Sequence, residues 1–377
     1  MYIVIGADLV PTKSNYDLFI NGDSDSLVGS ELMDVLQNAA YRIFNLEVPL
    51  TDKENPIIKQ GPNLIAPSRT VNGFKALGVD LLTIANNHIL DQGISGLENT
   101  VATLDSAGIK HVGAENNLEA ASKPYVFSFA ERKIGVYACA EHEFSIAEQD
   151  KSGANPFDPL WSFDHVLELK RDCDFVIVLY HGGKEHYRYP SPMLQRVCRR
   201  FVDKGADLVV CQHSHCIGCE EKYEGGTIVY GQGNFIFDDS VDECWETSLL
   251  IKIENDFSIS YLPLIKNGNG VRLANAQTGT EIMEEFSFRS TEIKKPGVIE
   301  NKYSQYAETF LDYYLRALSG KKSIIFRILN KLSNGTFMSM KLHSYYDKKS
   351  KVKIANYIDC EAHKELLSQS LANGYKK

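Results

Sequence analysis

GVDLLTIANNHILDQGISGLENT, residues 78–100, decides the fold. Val79 to Ala85 is a mostly apolar run bounded by Gly78 and an asparagine pair, and it reads as a buried strand. It delivers Asn86-Asn87-His88, after which Ile94, Leu97, Val101 and Leu104 recur at helical spacing between Gly93 and Ala107. Strand, polar turn, helix is the repeating unit of an α/β protein, and its strand ends bring polar side chains to one rim.

The unit recurs on both sides. Met1 to Ile5 is a strand that runs into Asp8, and Tyr41 to Phe44 one that runs into Asn45-Leu46-Glu47. Val71 to Leu77 has the look of a short helix. Downstream, Tyr125 to Phe129 and Lys133 to Cys139 form a hairpin pattern, and Leu160 to Lys170 is a helix. Phe175 to Tyr180 is the clearest buried strand and ends at His181-Gly182-Gly183. Met193 to Lys204 is amphipathic, and Asp207 to Cys211 is a strand just before His213-Ser214-His215. Thr227 to Tyr230, Ser248 to Ile253 and Phe257 to Leu264 are strands without helices between them. The sheet-forming region is expected to end near residue 265.

Two domains follow: 1–265, carrying every polar cluster, and 266–377, a mainly helical extension or cap with helical spacing at Tyr306, Phe310, Tyr314 and Leu318. Of 377 residues, 44% are hydrophobic and 24% charged, enough to bury a full core. The net charge of −9 argues against a basic nucleic-acid groove, and so against a nuclease, a third reading that would share the metal chemistry. No run reaches the roughly 18 to 20 apolar residues of a membrane span, and the N-terminal strand does not read as a cleavable signal, so a cytoplasmic protein is expected. The 8 cysteines lie singly apart from Cys216 and Cys219, which suits reduced thiols. That CxxC lacks a second pair, so it is read as structural, as are His111, His142, His165, His343 and His363 outside the clusters.

The clusters hold carboxylates (Asp8, Glu47), imidazoles (His181, His213, His215) and an amide (Asn87). Borderline divalent ions accept that mixture, and a neutral amide ligand leaves the ion charge enough to bind a phosphate oxygen. The expected cofactor is one or two divalent ions, Mn²⁺, Fe²⁺ or Zn²⁺.

FNLEVPLT at 44–51, ALGVDLLTIANNHILDQGISGLENT at 76–100, VIVLYHGGKEHYRYP at 176–190 and GADLVVCQHSHCIGCEEKYEGGTIVYGQGNFIFD at 205–238 together resemble the CapA family of bacterial capsule and poly-γ-glutamate synthesis, a branch of the calcineurin-like metallophosphoesterases. The resemblance implies an α/β/β/α four-layer sandwich. It implies Asp8, Glu47 and His215 at one metal position, and Glu47, Asn87, His181 and His213 at the other. It implies metal-bound hydroxide as nucleophile, His88 as general acid, Asp91 as its catalytic partner, and Glu185 orienting His181. Asn45, Glu185, Arg188 and Asn234 are the expected substrate-binding residues. The implied partner is a phosphorylated or polyanionic substrate, with a homo-oligomer or biosynthetic complex around it.

The chain also departs from that pattern. Val10 stands where the superfamily has a histidine ligand, Gly182 where it has tryptophan, and Ser214 where it has proline. Val10 cannot bind a metal. The competing expectation is therefore a non-catalytic protein of polymer assembly that keeps a metal site for binding or structure.

Overall fold

The structure is a computed structural model that describes residues 1–238, 242–319, 331, 333, 342 and 344–375; His343 lies outside the described residues. The chain divides into two compact units, Met1–Asn301 and Lys302–Lys377.

The first unit begins β1 (Tyr2–Leu9), α1 (Tyr16–Asn21), α2 (Ser24–Asn38), β2 (Tyr41–Asn45), α3 (Val71–Ala76), β3 (Leu81–Thr83), α4 (Gly93–Ala107) and β4 (Lys110–Val112). Then come β5 (Ala114–Glu115), α5 (Leu118–Ala121), β6 (Tyr125–Phe129), β7 (Arg132–Ala140), β8 (Gly153–Ala154), α6 (Ser162–Asp172), β9 (Phe175–His181), α7 (Pro192–Asp203) and β10 (Leu208–Gln212). It closes with β11 (Glu220–Tyr223), β12 (Gly226–Val229), β13 (Asn234–Ile236), β14 (Thr247–Glu254), β15 (Ile259–Asn267), β16 (Gly270–Leu273) and α8 (Ala276–Glu292). One sheet has eight strands, in the order β16-β15-β14-β1-β2-β3-β4 with β13 also on β1; the other has six, β11-β12-β10-β9-β7-β6.

Period-two alternation layers these sheets. Ile3, Ile5, Ile43 and Leu81 of the larger sheet meet Ile177, Leu179, Leu208 and Val210 of the smaller in one buried cluster. Their neighbours Val4, Phe44 and Leu82 face the other way, into a cluster with Leu32, Leu36, Phe74, Leu97 and Leu104 from the helices. Val176, Val178 and Tyr180 pack outward under Val166, Leu169, Cys198 and Phe201 of α6 and α7. The result is helix, sheet, sheet, helix: the expected four layers. At about 25 cal/mol per Å² of apolar surface, burial on both faces makes these short parallel strands the stable centre.

Some details differ from expectation. Gly268, at φ +56°, turns β15 back as β16, so the sheet runs to Leu273 and not to about 265. The periodicity of α2 is interrupted by Gly29 at φ +71°, a kink that hides the helix in the sequence. β3 keeps only three ladder residues, although Asp80 and Ile84 at its flanks still hydrogen-bond to Arg42 and Val112 at 3.0 Å. In the second unit, Leu315, Leu342 and Tyr346 form a small buried cluster. Its helices include most of α9 (Val298–Ser319), then Lys348–Asp359, capped by Asp347, and Glu361–Tyr375. No helix among the described residues is long and apolar enough to cross a membrane.

Candidate metal centre

The two sheets end their central strands at the same rim. Asp8, near the end of β1, lies opposite Asn45 of β2 on one side and Asn234 of β13 on the other. The register slips on both sides of it, a bulge of the kind that re-aims a side chain at a strand end. Gly6 allows the close approach behind it, since a Cβ there would sit 2.2 Å from the Phe44 ring. From the smaller sheet, His181 ends β9 opposite Gln212 of β10, and the chain then turns through His213 and His215 at φ +91° and +52°. Positive φ at non-glycine residues costs about 1–3 kcal/mol each, which the surrounding structure must offset.

Atoms converge on Glu47. His181 Nε2 lies 3.2 Å from Glu47 Oε1, 3.1 Å from Asn87 Oδ1 and 3.1 Å from His213 Nδ1, and that Nδ1 is 4.0 Å from Glu47 Oε1. Neighbouring ligands about 2.1 Å from one ion stand roughly 3.0–3.4 Å apart, so the three contacts of His181 fit a single cation, and the 4.0 Å pair fits a wider angle across it. Both Glu47 oxygens and Asp8 Oδ2 are buried without a hydrogen-bond donor. Buried carboxylates left so are costly unless a cation serves them. Glu47, His213 and His215 also place ligand atoms within 4.8 Å of one another. On the Asp8 side, His215 Nδ1 is 3.3 Å from Asp8 Oδ2 and 2.9 Å from Asn234 Oδ1, while Asn45 Nδ2 donates to Asp8 Oδ1 at 2.7 Å. Val10 lies in the apolar core at 1% exposure and offers that side nothing.

Electrostatics follow from burial. Desolvation, with the Asp8 charge beside it, pushes the Glu47 carboxyl up to about 8. Burial brings His181 down to about 3 and takes His213 well below its usual value, so both rings are neutral and keep a lone pair for an ion. Burial would lower His215 too, but the Glu47 and Asp8 carboxylates outweigh it and carry it to about 9. Asp8 is lowered: burial opposes ionisation, and His215 and His181 overcome it.

His88 stands on the same rim. Its Nδ1 is 2.6 Å from Asp91 Oδ2, which also accepts from Leu64 N at 2.6 Å. A buried lysine completes the group: Lys59 Nζ pairs with Asp91 Oδ1 and lies 3.1 Å from His88 Nδ1. Nothing in the sequence singles out Lys59, one of two lysines, with Lys53, in the long loop between β2 and α3.

The other expected residues fall unevenly. Asn45 is fully buried, its amide spent on Asp8, His181 Nδ1 (3.3 Å) and Thr83 Oγ1 (3.3 Å). Asn86 is scaffolding, tying Leu46 O at 2.8 Å to His88 N at 3.1 Å. Asn234 holds His215. Arg188 Nη1 donates to Ile217 O at 3.3 Å, and the Glu185 side chain is 48% exposed beside Lys184. Burial opposes ionisation of Glu185, but His213 and Lys184 hold it below its usual value. A Cβ at Gly182 would lie 2.7 Å from the Glu141 side chain, which accepts from Gly183 N at 2.9 Å, so glycine suits that place. An aromatic wall stands elsewhere instead: the Trp245 and Phe237 rings are 4.8 and 5.6 Å from His215. Cys216 contacts Cys244 whereas Cys219 sits in the core beneath α7, so the CxxC is split.

Fold and site define a four-layer α/β protein with a candidate metal centre where its two sheets end. Residues 5–239 match the sequence profile of the family described as bacterial capsule synthesis protein PGA_cap, and the chain belongs to that family. It is 29% identical over 212 residues to the capsule biosynthesis protein CapA of Bacillus anthracis, covering 54% of this chain and 52% of that one. It is 28% identical over 246 residues to the PGA biosynthesis protein CapA of Bacillus subtilis (strain 168), covering 63% and 60%. The chain thus spans little more than half the length of these relatives. Among solved structures, a novel phosphatase of Mycoplasma pneumoniae is 15% identical with a TM-score of 0.43, covering 71% of this chain and 94% of that one.

Proposed function

We propose that this chain is a metal-dependent phosphoesterase-like hydrolase of the CapA type, working in the synthesis of capsule, poly-γ-glutamate or another polyanionic polymer. The observation that carries the reading is the Glu47 carboxylate, buried with neither oxygen hydrogen-bonded and faced by His181, Asn87 and His213. Those four residues would hold a divalent ion, with Asp8 and His215 available to a second. Such an ion supplies Lewis acidity toward a phosphoryl oxygen and a lowered pKa for water.

The chain's own residues do the rest. Asp91 fixes the His88 ring through Nδ1, which leaves Nε2 to give a proton to the departing oxygen. Lys59 and Leu64 N hold Asp91 in turn, so the ring cannot swing. Trp245 and Phe237 cover His215 and keep bulk water from that side. The test is metal content of the purified protein together with Mn²⁺-dependent hydrolysis of an aryl phosphodiester by wild type and His88→Ala. Turnover lost in the variant with metal retained supports the reading.

Val10, buried and without a ligand atom, favours a second reading: a polymer-assembly protein that binds one ion without turnover. Bound metal with no hydrolysis of monoester, diester or γ-glutamyl substrates would establish it.

A further inference from the structure

A cleft of about 580 Å³ opens against the candidate centre. Its wall is made by residues that follow those of the site in the chain: Val10 after Asp8, Val48 after Glu47 and Gln92 after Asp91. Phe237, packed on His215, and Leu64, whose N–H donates to Asp91, line it as well. A molecule with one end at the Glu47–His88 rim therefore has its other end within reach of this cleft.

The polar groups of the cleft have a consistent sense. The hydroxyls of Thr12 and Ser14 each donate to Asp238, one to either oxygen. A hydroxyl has a single proton, so toward a ligand both present lone pairs only. Gln92 has its amide occupied by Asn55 N at 2.7 Å and Leu64 O at 2.9 Å. Glu54 adds a carboxylate and Lys13 an ammonium, and neither has a partner among the described residues. Two carboxylates thus face one cation, and acceptors outnumber donors. Leu64, Ile65 and Phe237 supply the apolar remainder, beside the buried Val10 and Val48.

Such a lining disfavours a chain of carboxylates, because each further anion would meet Glu54 and Asp238. It suits a ligand that is neutral, rich in O–H donors and apolar on its C–H faces, one side bonding to the hydroxyl and carboxylate oxygens and the other lying on Phe237 and Leu64. We infer that the cleft binds a sugar: a neutral polyhydroxylated group on the alcohol side of a phosphate ester whose phosphate sits at the metal centre. The position of the phosphate rests on the phosphoesterase reading; the chemistry of the cleft does not.

Two measurements keep the two apart. Hydrolysis of a hexose 1-phosphate and of a small aryl phosphate is compared in wild type, Ile65→Trp, which puts a bulky ring into the cleft, and Glu54→Gln, which is exposed and leaves the fold alone. Saturation-transfer NMR with a methyl hexoside reports occupancy without turnover. Expected are a KM for the hexose phosphate raised about tenfold in Ile65→Trp and several-fold in Glu54→Gln, aryl phosphate turnover within twofold of wild type, and hexoside transfer lost in Ile65→Trp. Hexoside transfer that is present and lost in Ile65→Trp, with no phosphate ester hydrolysed, would uphold the cleft and overturn the phosphoesterase reading. Absence of hexoside transfer, or transfer from a γ-glutamyl oligomer in its place, would overturn the inference even in an active enzyme.

Discussion

Glu47→Gln should stabilise the metal-stripped protein while destroying its response to metal. The carboxyl is fully buried, has no hydrogen-bond donor and is raised from 4.5 to about 8. At pH 7 the folded chain therefore bears the cost of protonating it, while the unfolded chain keeps it ionised. The two and a half pH units between 4.5 and 7, at about 1.4 kcal/mol each, make that cost about 3.5 kcal/mol. Glutamine has the same shape without the charge and removes most of it. For the roughly 300 residues of the first unit, 3.5 kcal/mol corresponds to about 5–6 °C in melting temperature. In wild type an ion at 100 times its Kd returns about 2.7 kcal/mol, or roughly 4 °C; in Glu47→Gln that gain should vanish. Differential scanning calorimetry in EDTA and in excess Mn²⁺ reads both effects. A variant that melts lower than wild type in EDTA, and still gains from Mn²⁺, would make Glu47 an ordinary structural carboxylate and not a metal ligand.

His88→Ala should lower turnover of a phosphodiester with a poor leaving group by about 10²–10⁴, much less for an activated aryl ester, with metal content by mass spectrometry unchanged. Lys59→Met should leave Asp91 buried without its cation and cost about 3–5 kcal/mol, or some 5–8 °C; adding Asp91→Asn should recover part of the loss, and a melting curve unmoved by Lys59→Met would dismiss the ion pair. Without metal, stability should fall as pH rises from 6.5 to 9. Glu47, raised to about 8, and His215, raised to about 9, both bind protons more tightly folded than unfolded and lose that advantage on the way up. His181 and His213, lowered, already contribute fully above 6.5 and stay level. Saturating Mn²⁺ should flatten the slope; a metal-free melting temperature that climbs over this range would contradict the assignment.

What the sequence makes legible is what short-range pattern controls. The apolar run at 175–180 has one plausible burial, and alternation at Ile3-Val4-Ile5 and Ile43-Phe44 assigns each side chain to the inter-sheet or the helix-facing core. The polar clusters stand out because they interrupt such runs at strand ends. Lys59 and Trp245 are invisible for the opposite reason, since their significance comes from contacts with His88 and His215, remote in sequence. Whether the Asn45 amide faces a substrate or is spent on Asp8, and that Arg188 gives one N–H to Ile217 O, depend on tertiary geometry that no local pattern carries. α2 escapes notice because Gly29 breaks its period.

The central claim is that Glu47, Asn87, His181 and His213 share one ion. Crystals grown with Mn²⁺ and measured for anomalous scattering test it most directly. A shared ion gives a peak about 2.0–2.3 Å from His181 Nε2, His213 Nδ1, Asn87 Oδ1 and a Glu47 oxygen. No peak there, with a water or side chain hydrogen-bonded to Glu47 in its place, would contradict it.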